Sequence, residues 1–237
     1  MRRGGKLITV ILTELIGGPP VTDGLVAGLS EAEAALLFQK GRPLKLARGD
    51  HVFRQGEQHT GIFIIRTGSV RVYYSAPSGR EITLAHWAPP NFVGGPELFG
   101  NGVHDWSGVA LEPTEVVLIP GADLRALVLT TPKLGVNLIE GLVGKARCYS
   151  WVLQMLGTRS VLERLAYLLL TLSVPHADGR RIERRLSHAD IASVVGASRQ
   201  WVSSALERFR TQNLVTVDDA GRFVIVNARS LKELAQM

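Results

Sequence analysis

From residue 44 to residue 119 the chain alternates short apolar or β-branched runs with turns rich in glycine and proline, the pattern of hairpins rather than of strand-helix-strand units. Residues 44–46, 51–53, 62–65, 70–74, 81–87 and 116–119 are the expected strands, with turns at Gly49-Asp50, Gly56-Glu57, Gly68-Ser69 and Ser78-Gly79. An antiparallel β-roll or sandwich follows from that spacing.

The period changes at Thr131-Pro132, where a threonine N-cap and a proline at the first helical position open a helix expected to run to about residue 156. Leu138, Leu142, Tyr149, Val152 and Leu156, with Lys145 in the series, recur at steps of four and three, the spacing of a coiled-coil seam. This stripe is expected to pair with a second copy of the chain; the competing reading packs it on the β domain. A further helix is expected from Ser160, which forms a capping-box pattern with Glu163, and Pro175, Asp178 and Gly179 end that segment ahead of a basic stretch at 180–185.

Residues 186–214 hold two capped helices around a tight turn. Ser187 and Asp190 make the first cap, Ile191, Val194 and Val195 an inward face, Gly196 a left-handed C-cap, and Ser198 the second N-cap. Val202, Leu206 and Phe209 then face inward, leaving Arg199, Gln200, Ser203 and Ser204 on the outer face, with Arg208 two turns further on. Such a pair of helices presents polar side chains from the start of its second helix to the major groove of double-stranded DNA, so Ser187, Ser198, Arg199, Gln200, Trp201, Ser203, Ser204 and Arg208 are the candidate DNA contacts. Trp201 reads first as a packing residue. The runs 215–217 and 223–226 flank Asp218, Asp219, Ala220 and Gly221 and suggest a hairpin wing.

Charge agrees with a polyanionic partner. The net charge is +6 and the sequence pI about 9.8, and basic residues outnumber acidic ones from His176 onward. At 237 residues and 46% hydrophobic content there is material for two packed domains. The lone Cys148 forms no internal disulfide and supplies no four-thiolate cluster, which favours a reducing compartment, the cytoplasm. Arg2, Arg3 and Lys6 precede a short apolar run, but Glu14 interrupts it and no A-x-A site follows, so it does not read as a secretory signal. No stretch reaches the roughly 18 apolar residues of a membrane span. The enzymatic alternative, a cupin-like metal oxygenase, needs an H-x-H pair that is absent, and no nucleophile elbow, Walker loop or H-E-x-x-H occurs. A purely architectural DNA-binding protein is the other alternative.

Through Gly196-Ala197-Ser198-Arg199 and Gln212-Asn213-Leu214 the segment resembles the winged helix-turn-helix of the CRP/FNR superfamily. Gly68-Ser69-Val70 and the surrounding turns are similar to that family's cyclic-nucleotide-binding roll. The resemblance covers nearly the whole chain and implies an α+β fold in three parts: a sensor roll over 1–130, jelly-roll-like and antiparallel; a dimerisation helix over 131–157; and a winged helix-turn-helix over 158–237. It implies a homodimeric, non-enzymatic transcription regulator acting on a palindromic operator with RNA polymerase as a further partner, no membrane association, and Arg199 reading a guanine. Gln200 and Ser204 replace the glutamate and second arginine of the cyclic-AMP receptor subgroup, so its operator should differ at the inner positions.

The family's phosphate-binding cassette corresponds to residues 92–108, where the phosphate-pairing arginine is missing and Pro96 removes one amide donor. Cyclic AMP is therefore not the expected effector. A different small ligand is the preferred reading, with Gly94, Gly95, Glu97, Leu98, Trp106 and Ser107 lining the roll, Tyr149 and Ser150 on the helix, and Lys145 and Arg147 supplying charge. A haem or redox signal through His51, His59, His86, His104 or Cys148, or no ligand at all, stay open as alternatives.

Overall fold

The computed structural model describes residues 24–95, 97–176, 179–183 and 185–236; the basic N-terminal run, Pro96, Asp178 and Arg184 lie outside them. Helix α1 (Glu31–Gln39) precedes eight strands: β1 (Arg42–Leu46), β2 (His51–Phe53), β3 (Gly61–Thr67), β4 (Val70–Ser75), β5 (Glu81–Trp87), β6 (Phe92–Val93), β7 (Ser107–Ala110) and β8 (Thr114–Pro120). Helices α2 (Gly121–Thr130), α3 (Pro132–Thr158) and α4 (Val161–Leu172) follow. The chain ends with β9 (Val174–His176), β10 (Gly179–Arg181), α5 (His188–Val195), α6 (Arg199–Thr211), β11 (Val215–Val217), β12 (Phe223–Ile225) and α7 (Ala228–Leu234). Of the described residues, those from 24 to 79 with those from 84 to 149 form one compact unit; those from 80 to 83 with those from 150 onward form the other.

Two four-stranded antiparallel sheets, in the orders β1-β8-β3-β6 and β2-β7-β4-β5, build the roll. Strand β3 shows why its sequence is apolar without a break. Ile62 and Ile64 join Leu37, Leu124, Leu134 and Leu138 in one cluster, whereas Phe63 and Ile65 join Val70, Trp87 and Cys148 in another. Alternate side chains thus enter two cores, and both faces of the strand are buried. Helix α1 starts with a reciprocal cap, Glu33 N–H donating to Ser30 Oγ at 3.3 Å and Ser30 N–H to Glu33 Oε2 at 2.7 Å. Helix α2 has Pro120 at its N-cap and no side-chain cap, so no polar signal announces it.

The stripe expected to pair with a second chain is largely occupied within its own. Leu138 is 4% exposed and Leu142 packs on the same cluster, Tyr149 packs on the cluster around Trp87, and Leu156 lies against Gly196. Helix α3 thus covers its own roll with Leu138, Leu142 and Tyr149. The exposed apolar residues lie elsewhere on α3: Val136, Ile139, Val143 and Leu153, with Ile139 62% and Leu153 72% exposed. Together with exposed Ala146 and Ser150 they recur at alternating steps of three and four.

In the second unit the caps form at the anticipated residues. Ser160 with Glu163 and Ser187 with Asp190 are reciprocal capping boxes, and Gly196 is left-handed at φ 65°. Ile191, Ala192 and Val195 are buried, while Val194 is only half-buried. The wing is larger than a lone hairpin: β11-β12-β10-β9 is one sheet, with Arg180 opposite Ile225 and Arg181 opposite Val224. The segment read as a turn and a basic stretch thus contains two strands. Arg180 and Arg181 are engaged internally, Arg180 donating to Ser173 Oγ at 2.8 Å and Arg181 to Glu183 Oε1 at 2.9 Å. Among the described residues no single helix is long and apolar enough to cross a membrane.

Candidate nucleic-acid interface and roll cavity

Helix α6 is held from its buried side by Val202, Ala205, Leu206 and Phe209. At its start Ser198 Oγ accepts from Trp201 N–H at 3.1 Å, and α5 is fixed behind it by the Ser187–Asp190 cap. Of the four serines placed among the DNA contacts, Ser187 and Ser198 are thereby occupied as caps. Ser203 does not sit on the outer face. Its hydroxyl donates to the Arg199 carbonyl at 3.0 Å and accepts from His188 Nδ1 at 2.7 Å, locking α5 to α6.

Arg199, Gln200, Trp201, Ser204 and Arg208 are exposed, the last four on one side of the helix and Arg199 at its first turn on another. Trp201 is 37% exposed, so part of its ring is covered and part faces out; three positions past the Ser198 cap, it lies about 40° around the helix from buried Ala205, at the edge of the packed face. Gln200, Trp201, Ser204 and Arg208 line an open cleft of about 490 Å³ together with Leu162. Among the described residues Arg199 and Arg208 form no salt bridge, whereas Arg210 pairs with Glu207 at 3.4 Å. Arg199 and Arg208 are therefore cations available to phosphate or base edges.

Arg164, which the sequence reading passed over, is the other organising residue of this unit. It is 7% exposed, and its Nε donates to the Val195 carbonyl at 2.8 Å while Nη1 donates to Arg159 O at 2.6 Å and Leu156 O at 3.2 Å. It closes the C-terminal ends of α3 and α5 at once. Burial pushes its guanidinium below the usual arginine range.

The roll encloses a cavity of about 210 Å³. Of the residues expected to form an effector pocket, Gly94, Gly95, Trp106, Lys145 and Tyr149 line it, and Trp87, Val72, Val93, Leu142 and Ala146 complete the wall. The other five lie apart. Glu97 is exposed against Gly102, Leu98 is buried in the α1–α2 cluster, Ser107 Oγ accepts from Gln55 N–H at 3.0 Å, and Arg147 and Ser150 are exposed on α3. Gly94, at φ 137°, approaches Gly61 so closely that a Cβ would sit 2.9 Å from its carbonyl oxygen. Behind it His59 Nε2 bonds the Gly94 carbonyl, and the His59 and His104 rings touch with centroids 4.3 Å apart. Desolvation, with His59 beside it, pushes His104 down to about 4. Among the described residues no cluster of three metal-ligating side chains occurs.

Residues 43–131 match the cyclic nucleotide-binding domain family and residues 163–234 the Crp-like helix-turn-helix domain family, together more than half of the chain. The chain belongs to the CRP/FNR superfamily of transcription regulators. It is similar to the cyclic AMP receptor protein of Thermus thermophilus, 28% identical over 92% of this chain and 97% of that protein. The CRP-like cAMP-activated global transcriptional regulator of Mycobacterium tuberculosis is 27% identical over 86% of this chain and 92% of that protein. In fold the chain resembles a CooA mutant from Carboxydothermus hydrogenoformans, with a TM-score of 0.70 at 20% identity over 90% of this chain and 97% of that one. A crp/fnr family regulator from Eubacterium rectale aligns with a TM-score of 0.70 at 18% identity over 92% and 100% of the two chains. This CRP/FNR protein is an α+β, DNA-binding regulator and not an enzyme, as its relatives are.

Proposed function

We propose that this CRP/FNR regulator acts as a cytoplasmic homodimer on a palindromic operator, recruits or blocks RNA polymerase there, and is controlled by a small ligand other than cyclic AMP held in the roll. The observation that carries the DNA reading is the exposed surface of α6, which presents Gln200, Trp201 and Ser204 together with Arg199 and Arg208, two cations that form no salt bridge among the described residues. Arg199 is assigned to a guanine, Arg208 to phosphate, and Trp201 to a thymine methyl or the sugar edge. A division into sensor, dimerisation helix and DNA-binding part follows.

Dimerisation is assigned to the exposed series from Val136 to Leu153, in place of the buried stripe anticipated from sequence. Ala146 belongs both to that series and to the cavity wall, which gives a route for control. A ligand pressing on Ala146 and its neighbours shifts how two α3 helices pack. That packing sets whether two α6 helices reach successive major grooves about 34 Å apart.

Sedimentation of the protein with genomic DNA fragments it retains tests this. Two chains per site, with protection of symmetric half-sites about one helical turn apart, is the expected result. One chain per site, or protection without symmetry, contradicts it.

A further inference from the structure

Lys145 is 8% exposed, and its ammonium has no hydrogen-bond partner among the described residues. Its Nζ lies 3.8 Å from the Trp87 ring centroid and 4.6 Å from that of Phe92, at the wall of the roll cavity. Aromatic faces recover part of the cost of burying an ammonium, but a buried cation without a counter-charge stays expensive. Among the described residues that line the cavity there is neither a carboxylate nor a second cation. The remaining wall is apolar or aromatic, with Trp106 and Tyr149 in edge contact at 5.7 Å.

We propose that this cavity binds a small aromatic carboxylate, whose carboxylate pairs with the Lys145 ammonium and whose ring lies against Trp106 and Tyr149. The proposal rests on the reading of the roll as an effector domain and names the class of effector. One cation balances one negative charge, so a dianionic phosphomonoester would carry unpaired charge into an apolar chamber. At about 210 Å³ the space falls below the roughly 300–1,000 Å³ of sites for larger ligands. A ribose and a purine would also find few polar partners on walls made of Val72, Trp87, Val93 and Leu142.

Proton linkage gives the site a signature. Burial lowers Lys145 to about 7, while its helix neighbours Cys148 and Tyr149 are pushed up and stay neutral, Cys148 to about 11. From the strands Trp87, Phe92 and Gly94 face it, with His59 engaged behind Gly94. Lys145 is the cation on which the carboxylate depends, so between about pH 5.5, above which the acid is ionised, and about pH 6 affinity is level, and it falls about tenfold per unit above about pH 8.

The test is tryptophan-fluorescence titration of the full chain with benzoate, phenylacetate and indole-3-acetate, their amides, and cyclic AMP. Saturable binding of at least one acid, weakened tenfold or more in its amide and in Lys145→Met, with the stated pH profile, is expected. Thermal unfolding of Lys145→Met checks its fold, and the wild-type pH profile needs no variant. Equal binding of acid and amide, a flat profile, no binding of any acid, or binding of cyclic AMP in their place overturns the proposal. Lys145-dependent binding of an acid that leaves DNA affinity unchanged keeps this site and overturns its regulatory role; DNA recognition without any acid binding overturns this site and keeps the DNA-binding reading.

Discussion

The Nε of Arg164 donates to the Val195 carbonyl at 2.8 Å, and through the same side chain the carbonyls of Arg159 and Leu156 are satisfied. One guanidinium therefore fixes the end of α5 just before the turn that aims α6. Arg164→Met keeps the length of the side chain and strands these carbonyls. Urea unfolding of the variant is expected to show a loss of about 2–4 kcal/mol in the DNA-binding unit. A loss below about 0.5 kcal/mol would remove Arg164 from this role.

Gly196 holds φ 65° at that turn, and a Cβ there would meet Leu156 Cδ2 at 2.9 Å. Gly196→Ala is expected to cost about 1–2 kcal/mol in the same unfolding experiment. DNA affinity should fall with it, because the angle between α5 and α6 depends on this residue.

The two faces of α3 separate packing from pairing. Ile139 is 62% exposed and Leu138 is 4% exposed. Ile139→Glu is expected to sediment as a folded monomer, since it brings like charges together on the proposed seam. Leu138→Ala is expected to remain a dimer while losing about 2–5 kcal/mol of roll stability through the cavity it leaves. The opposite pattern would return the seam to the stripe anticipated from sequence.

His104 is 3% exposed and pushed down to about 4 by burial and by His59, with Glu57 and Asp105 pulling the other way. The unfolded chain binds this proton near pH 6.5 and the folded chain does not until about pH 4. Roll stability is therefore full above pH 6.5 and falls as pH drops toward 4, by on the order of 1–3 kcal/mol. Thermal unfolding between pH 7 and pH 4 measures it, and His104→Gln is expected to flatten the dependence.

Arg208 and Arg199 should fail differently. Arg208→Ala is expected to weaken binding about equally on all duplexes and to reduce the slope of log affinity against log salt by about 1. Arg199→Ala is expected to cost about 1–3 kcal/mol on the operator alone and to relax the base preference at one position per half-site. Anisotropy titrations at two salt concentrations distinguish the two.

The recognition helices were legible because each of their signals is local: Ser187 with Asp190, Gly196 and Ser198 sit within a dozen residues of one another. Strands β2 and β5 were legible in full for a similar reason, being bounded by turn residues. What sequence could not decide was long-range. Leu138 and Ile139 are both apolar and adjacent, and only the neighbouring strand determines which is buried. Helix α2 has no cap, and β6 has only two residues, so neither announces itself. Ser30 with Glu33 did signal α1, and that pattern went unused. In the pocket, Gly94, Gly95 and Trp106 followed from the cassette, but Glu97 and Leu98 turn away from it after the glycines. Trp87 and Phe92, which flank Lys145, reach it from strands of two different sheets and left no mark in the spacing.

The central claim, that α6 reads a specific duplex as one of a pair, is tested most directly by selection from random duplex DNA with the wild-type chain and Arg199→Lys in parallel. The acids of the ligand panel are included in a second arm. The account predicts one enriched palindrome for the wild type, with a guanine in each half-site that Arg199→Lys no longer demands, because lysine cannot reproduce the bidentate contact. No enriched sequence in either arm, or an identical palindrome selected by Arg199→Lys, would contradict it.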